Sequence, residues 1–297
     1  MSRLYPSTKG GRMRISAKVL ADSISTEKHR LTTLELVYPR YIHGEFMTHR
    51  VFSRNASSSR ATPAQTVISA ILEDPAFFVE IGKNNKGMQA KQLVEPEVVE
   101  KFGREWKSLS TVVARYVDRW SREYLIHKQI SNRALEPWQH MKVVVSSTSW
   151  GNFLLLRNHP DAQPEIHELA AQMLEALGNS VPTWVPAGDW HLPYISDEER
   201  KSLDIETLKA VSSARCARVS YLNFDGKPSN VEDDLGLYHK LVGSTPIHAS
   251  PLEHQATPFE APTYREIEGH LYKACEVRNF EGWKSHRSIL EGGQLIG

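Results

Sequence analysis

Thr48-His49-Arg50-Val51-Phe52-Ser53-Arg54-Asn55-Ala56-Ser57-Ser58-Ser59-Arg60 decides how this chain is read. Thirteen residues hold three arginines, a histidine, an asparagine and four serines, with no carboxylate among them. Such a run offers many hydrogen-bond donors and no internal competitor, as a phosphate or pyrophosphate group requires. Ile42, Phe46 and Met47 precede it at near-helical spacing, so a short helix is expected to lead into a loop over His49–Arg60.

Upstream, Arg14 to Ile24 and His29 to Tyr38 read as two β-strands, the second alternating through Leu31, Thr32, Thr33, Leu34, Glu35 and Leu36. Downstream, Thr62-Pro63 restarts a helix over Ala64 to Leu72. Pro96 to Ile126 carries the longest helical period, with Val99, Phe102, Trp106, Val113, Val117 and Trp120 on a core face. His140 to Arg157 reads as a helical region interrupted by Ser146-Ser147-Thr148-Ser149. A helix from Asp161, its expected N-cap, runs to Gly178-Asn179. Residues 180–203, with Pro182, Pro186, Gly188 and Pro193, read as an irregular connector. Further helices are expected over Ile205 to Tyr221 and Val231 to Leu241. A loose arm is expected over residues 1–12.

The bulk numbers narrow the class. At 297 residues, with 40% hydrophobic and 24% charged residues, the chain can bury a globular core. Lys+Arg 36 against Asp+Glu 35 leaves no global field for long nucleic acid or an anionic membrane, so anion binding falls to local clusters. Cys216 and Cys275 are too few for a disulfide framework and lack metal-type spacing. No apolar run approaches the roughly 20 residues of a membrane span. Met1-Ser2-Arg3-Leu4-Tyr5-Pro6 has no apolar signal core, so a reducing cytoplasm is the expected location. There is no Walker-type loop, no Gly-x-Gly-x-x-Gly, no His-Glu-x-x-His and no Cys-x-x-Cys, and the histidines show no metal spacing.

Three more clusters carry polar chemistry. They are Asn132-Arg133 with Leu135-Glu136-Pro137-Trp138, Asn152 through Arg157, and His248-Ala249-Ser250-Pro251-Leu252-Glu253-His254. Asn152 and Arg157 lie roughly 140° apart on a helix, so they need not share one spot. The residues alone reach a binder of phosphate esters, with a nucleotide as one candidate.

Together the clusters resemble the flavin-dependent thymidylate synthases. The opening stretch is similar to their signature Arg-His-Arg-x-x-Ser-x-Asn-Glu-x-Ser-x-Arg-Tyr at His49, Arg50, Ser53, Asn55, Ser58 and Arg60. Asn152-Phe153-Leu154-x-Leu156-Arg157, continued by Ala162-Gln163-x-Glu165-Ile166, resembles the family's later helix pair, and Arg133 with Pro137 the arginine before it. Ala217-Arg218-Val219-Ser220-Tyr221, the acidic Glu232-Asp233-Asp234 and His248 to His254 resemble the family's amino-terminal part, here near the carboxyl end.

That order implies one circularly permuted domain. Residues 13–179 would hold the signature and helical part, 180–203 the connector between old termini, and 204–297 the displaced part with an extension. The extension 255–297 is expected to pack beside the strands of 14–38.

The resemblance implies an α/β fold with an antiparallel-rich sheet flanked by helices, and a homotetramer with shared sites. It implies FAD as cofactor, NADPH and methylenetetrahydrofolate as co-substrates, and methylation of dUMP to dTMP. Arg157 would act on the pyrimidine edge. Glu45, Ser57, Ser58, Ser59, Arg60 and Arg133 would hold the nucleotide. His49, Arg50, Asn55, Ser146, Thr148, Asn152, His248 and Ser250 would line the flavin.

Three signature positions depart: Thr48 replaces Arg, Ala56 replaces Glu and Ala61 replaces Tyr. Glu45 stands where the family has Gln, exchanging a group that donates and accepts for an acceptor. A cytosine nucleotide (dCMP), or a hydroxymethyl product, is the alternative this opens. A non-catalytic nucleotide or single-strand binding module, stacking bases on Trp138 or Trp150, is the rival from another class.

Overall fold

The computed structural model describes residues 15–90, 92–219, 229–259, 263–267, 270–274 and 279–291, with 263–267 and 270–274 as backbone only. The expected amino-terminal arm, Ser220-Tyr221 and Cys275 lie outside these residues.

Five strands form the central sheet: β1 (Ser16–Ser25), β2 (Arg30–Pro39), β3 (Ser53–Ala56), β4 (His140–Ser147) and β5 (Thr183–Val185). Their spatial order is β3-β4-β2-β1-β5, antiparallel except for the β1–β5 pair, so the sheet is antiparallel-rich as expected. Helices flank it, chiefly α6 (Pro164–Gly178) on one face and α8 (Ile205–Ala217) on the other.

Strand alternation sorts the two faces. Leu34, Leu36 and Tyr38 of β2, with Met141, Val143 and Val145 of β4, meet Ile166, Leu169, Ala170 and Met173 of α6 in the main core. Thr33 and Ser146 point to the opposite side, where Ser23, His191 and His254 join them in a buried hydrogen-bonded chain. Val144 meets Cys216 and Val219 on that side.

The expected helix over His140–Arg157 is corrected to β4 followed by α5 (Gly151–Arg157). Three consecutive β-branched valines, buried on both faces, favour a central strand over a helix. The expected loop over His49–Arg60 is in part β3, paired with β4 from Ser53↔Ser146 to Ala56↔Val143. The connector 180–203 is not wholly irregular: it contains β5 and α7 (Asp197–Ser202), which opens on a Ser196/Glu199 capping box. Asp161 is not the cap of α6; Gln163 holds that position, with Pro164 at the first helical residue.

Other expected elements stand with shifted ends: α1 (His43–Phe46), α2 (Ala64–Glu73), α3 (Pro96–Arg122) and α9 (Val231–Val242), with a short α4 (Lys128–Ser131) between. The carboxyl-terminal part adds β6 (Ala256–Pro258), β7 (Thr263–Ile267), β8 (His270–Ala274), β9 (Trp283–Ser285) and α10 (His286–Leu290). Trp283 is buried against Leu31, Val185 and Ala256, and its indole N–H donates to the His29 carbonyl at 3.1 Å. The described residues around Ala256 and Trp283 therefore pack beside the first two strands. No helix among the described residues is long and apolar enough to cross a membrane.

Candidate active site

The His49 loop begins where α1 runs out. Thr48 closes the turn by donating its hydroxyl to the Glu45 carbonyl at 2.7 Å. The Arg54 guanidinium then donates to the carbonyls of Phe46, Met47 and His49, the last at 2.9 Å, so a cation satisfies the helix's orphan acceptors. Arg54 is thus occupied in shaping the loop.

α5 docks against this turn through Phe153, which is 1% exposed and packs among Phe46, Phe52 and His49. That docking brings Arg157, at the end of α5, onto the loop. Its Nε donates to His49 Nε2 at 3.1 Å and its Nη2 to Thr48 Oγ1 at 3.4 Å. Its Nη1 lies 3.6 Å from Glu45 Oε2, close enough to pair but beyond an ordinary hydrogen bond. Burial, then the nearby Arg157 and Arg54 cations, hold His49 below its usual pKa. With Nε2 accepting, the proton of the neutral ring sits on Nδ1.

Ser59, Arg60 and Arg133 form a second group. The Ser59 hydroxyl donates to Glu136 Oε1 at 3.3 Å, and Arg133 Nη1 donates to the same oxygen at 2.8 Å. Arg40 pairs with that carboxylate too, at 3.2 Å. Asn132 donates to the carbonyls of Ser59 and Thr62, which fixes the turn. The Arg60 side chain is exposed and has no partner among the described residues. Ser58 accepts the Arg60 amide and Ser57 the Lys142 amide.

A third group joins β3 to the carboxyl-terminal part. Asn55 donates to the Cys216 carbonyl at 2.7 Å and accepts from the Ser250 hydroxyl at 3.3 Å. His248, Arg50 and Asn152 are exposed.

Ser146 is fully buried between Thr33 and His254, and the Thr148 hydroxyl accepts the Glu281 amide at 3.0 Å. In this arrangement Ser146 faces no ligand surface. Residue types alone did not reveal this, because a serine on an inward strand position reads like one on a loop.

Two cavities lie elsewhere among the described residues: one of about 220 Å³ is lined by Ser53, Glu253, Asn279, Trp283 and Arg287, and one of about 560 Å³ by Glu35, Lys142, Tyr194, Glu199 and Arg215. Sequence reading assigned no role to Arg54 or Glu136, although each organises a cluster. The Arg133-x-x-Glu136 spacing, which places the pair on one helical face, was the available signal. Among the described residues, no cluster of His, Cys, Asp and Glu could hold a metal ion.

A family model described as thymidylate synthase complementing protein matches residues 17–183, from β1 into β5. Among solved structures, the chain is similar to the flavin-dependent thymidylate synthase ThyX from Helicobacter pylori complexed with FAD and dUMP. Identity is 20%, over 50% of this chain and 68% of that one, with a TM-score of 0.36. It is also similar to the UMP/dUMP methylase PolB from Streptomyces cacaoi bound with 5-Br UMP. There identity is 16%, over 56% of this chain and 90% of that one, with a TM-score of 0.45. No curated protein matches significantly. Because the family match spans more than half of the chain and contains the whole His49–Arg60 stretch, the chain belongs to the flavin-dependent thymidylate synthases, the thymidylate synthase complementing protein family.

Proposed function

We propose that this protein transfers a one-carbon unit from methylenetetrahydrofolate to C5 of a pyrimidine deoxynucleotide monophosphate, with FAD as cofactor and NADPH as reductant. dUMP to dTMP is the family's reaction and the reference for this one. The observation that carries the reading is the meeting of Arg157 with His49, more than a hundred residues away in sequence, beside Thr48 and Glu45. It leaves a guanidinium at the surface, held on one side and with N–H groups to spare.

Arg157 would donate to the pyrimidine edge, stabilising negative charge that develops on the ring as C5 attacks the one-carbon unit. Arg60 and the Ser57 and Ser58 hydroxyls would hold the phosphate, with Arg133 shared between it and Glu136; the Ser59 hydroxyl is buried and already donates to Glu136. A flavin held beside Arg50, Asn152, His248 and Ser250 would supply the hydride needed to reduce the transferred carbon to a methyl group.

The residues present fit a flavin in part. Arg50, His248, Asn152 and Ser250 are exposed and polar, as a cofactor diphosphate and ring edge require. Ser146 does not fit, and Thr48 brings no cation. The other walls would come from neighbouring copies in a homotetramer. The exposed Met47, Val51, Leu155 and Leu156 around Arg157 support that reading.

The circular permutation and the single permuted domain are part of the same proposal. His254 lies one hydroxyl away from Thr33, through Ser146, so the displaced segment ends against the strand it would precede in the usual order. The near-balanced charge counts against the nucleic-acid rival.

The test is direct. Purified protein supplied with FAD should show flavin absorbance, and with NADPH and methylenetetrahydrofolate it should add one carbon to a pyrimidine deoxynucleotide, read by mass spectrometry. A colourless protein after FAD addition, with no product, overturns the proposal.

A further inference from the structure

Glu45 and Arg157 stand side by side as an acceptor next to a donor. Arg157 is spoken for at Nε by His49, but its Nη1 and Nη2 each carry a second N–H. The Glu45 carboxylate is 38% exposed, and its only partner among the described residues is Arg157 Nη1 at 3.6 Å. Neither group is saturated.

We infer that this pair makes the site select a cytosine nucleotide over a uracil nucleotide, Glu45 being the specificity-determining residue. The inference rests on the proposed placement of a pyrimidine at Arg157. A cytosine edge presents, in order, the N4 amino donor and the N3 and O2 acceptors. The guanidinium fork suits N3 and O2, and the neighbouring carboxylate takes an N4 hydrogen, so three bonds form. Accepting that hydrogen also pushes electron density through the amino group towards C5, the atom that must attack.

Uracil presents acceptor, donor, acceptor. With the guanidinium at O2, the carboxylate faces either O4, an acceptor against an acceptor, or the N3 hydrogen. In the second pose only one carbonyl remains for Arg157, and the carboxylate opposes loss of the proton whose departure would activate C5. An amide at position 45 could turn to serve either base. A carboxylate cannot.

The experiment is equilibrium binding of dCMP and dUMP to the purified full-length protein by calorimetry, at one salt concentration. The expected result is dCMP tighter by about tenfold, the scale of one hydrogen bond to a charged group. Glu45→Gln should bring the two nucleotides within about threefold, chiefly by improving dUMP. Because Glu45 is a surface residue, an unchanged far-UV spectrum is expected for the variant. A wild-type preference for dUMP, or an unchanged ratio in Glu45→Gln, overturns the inference while leaving the pyrimidine site standing. Arg157→Ala should weaken both nucleotides by about tenfold. If it weakens neither, the placement beneath the inference fails, and the inference falls with it.

Discussion

Arg157 and Arg60 carry the same charge but are proposed to do different work, and substitution separates the two roles. Arg157 is held by Glu45, Thr48 and His49, so its geometry is set before any substrate arrives. Arg157→Ala should therefore abolish turnover while nucleotide binding falls no more than about tenfold, since its proposed work is on charge that develops during reaction. Unchanged turnover would remove it from the mechanism. Arg60 is exposed and unpaired among the described residues, and it is the cation proposed to meet the phosphate. Arg60→Ala should weaken nucleotide binding by about 1.5–3 kcal/mol, the scale of a hydrogen bond to a charged group. Titration of the variant at fixed ionic strength reads this, and normal affinity would place the phosphate elsewhere. At this scale the sequence was legible where chemistry is written in residue type, as in the arginines and serines of the signature. It was not legible where burial decides: Ser146 and Ser58 look alike in a string of letters. One is sealed between Thr33 and His254 and the other is half-buried at the turn before Arg60.

Elements show the same divide. The amphipathic α3 and the alternating β2 were readable because each buries one face, whereas β4 was not, because both of its faces are covered and periodicity vanishes. α8 is likewise buried nearly all round, and its buried Ser212 and Ser213 are satisfied by the carbonyls of Pro193 and Lys209. Between α8 and the sheet, His191 and His254 are wholly buried, and burial pushes both down to about 3. Each ring is neutral and hydrogen-bonded, His191 to Ser23 and Thr33, and His254 to Ser146. In the unfolded chain both titrate near 6.5, so below that pH the unfolded state binds protons that the folded state refuses. Stability should therefore fall as pH drops from about 6.5 towards 3, by about 1.4 kcal/mol per pH unit for each histidine. His43 and His286, pushed down to about 4, steepen the same slope. Urea unfolding at pH 7 and pH 5 checks this, with a loss of about 4 kcal/mol expected from His191 and His254 together. A flat profile over that interval would show that these rings carry protons in the folded protein.

At the scale of the whole molecule, residues distant in sequence meet in ways no local pattern announces. Asn55 touches Ser250 and the Cys216 carbonyl, and Trp283 reaches back to His29, because the carboxyl-terminal part closes over the first strands. Arg157, Arg60 and His248 line neither of the two cavities described among these residues, and α5 points to a neighbouring copy. Leu155 and Leu156, 76% and 53% exposed, flank Arg157 on a helix whose other apolar residues are buried or half-buried. A folded monomer gains nothing from two exposed leucines beside a polar site, whereas a neighbouring copy covering them would exclude water and close the wall around the base. Light scattering should therefore find the wild-type protein as an assembly of several chains. Leu155→Glu combined with Leu156→Glu should yield monomers with an unchanged far-UV spectrum, because exposed substitutions shift stability by only about 0.5 kcal/mol each. The same double variant should lose flavin retention and turnover together if the second copy completes the site as proposed. A wild-type monomer with full turnover, or a monomeric variant that keeps its flavin, would show that one chain completes the site alone.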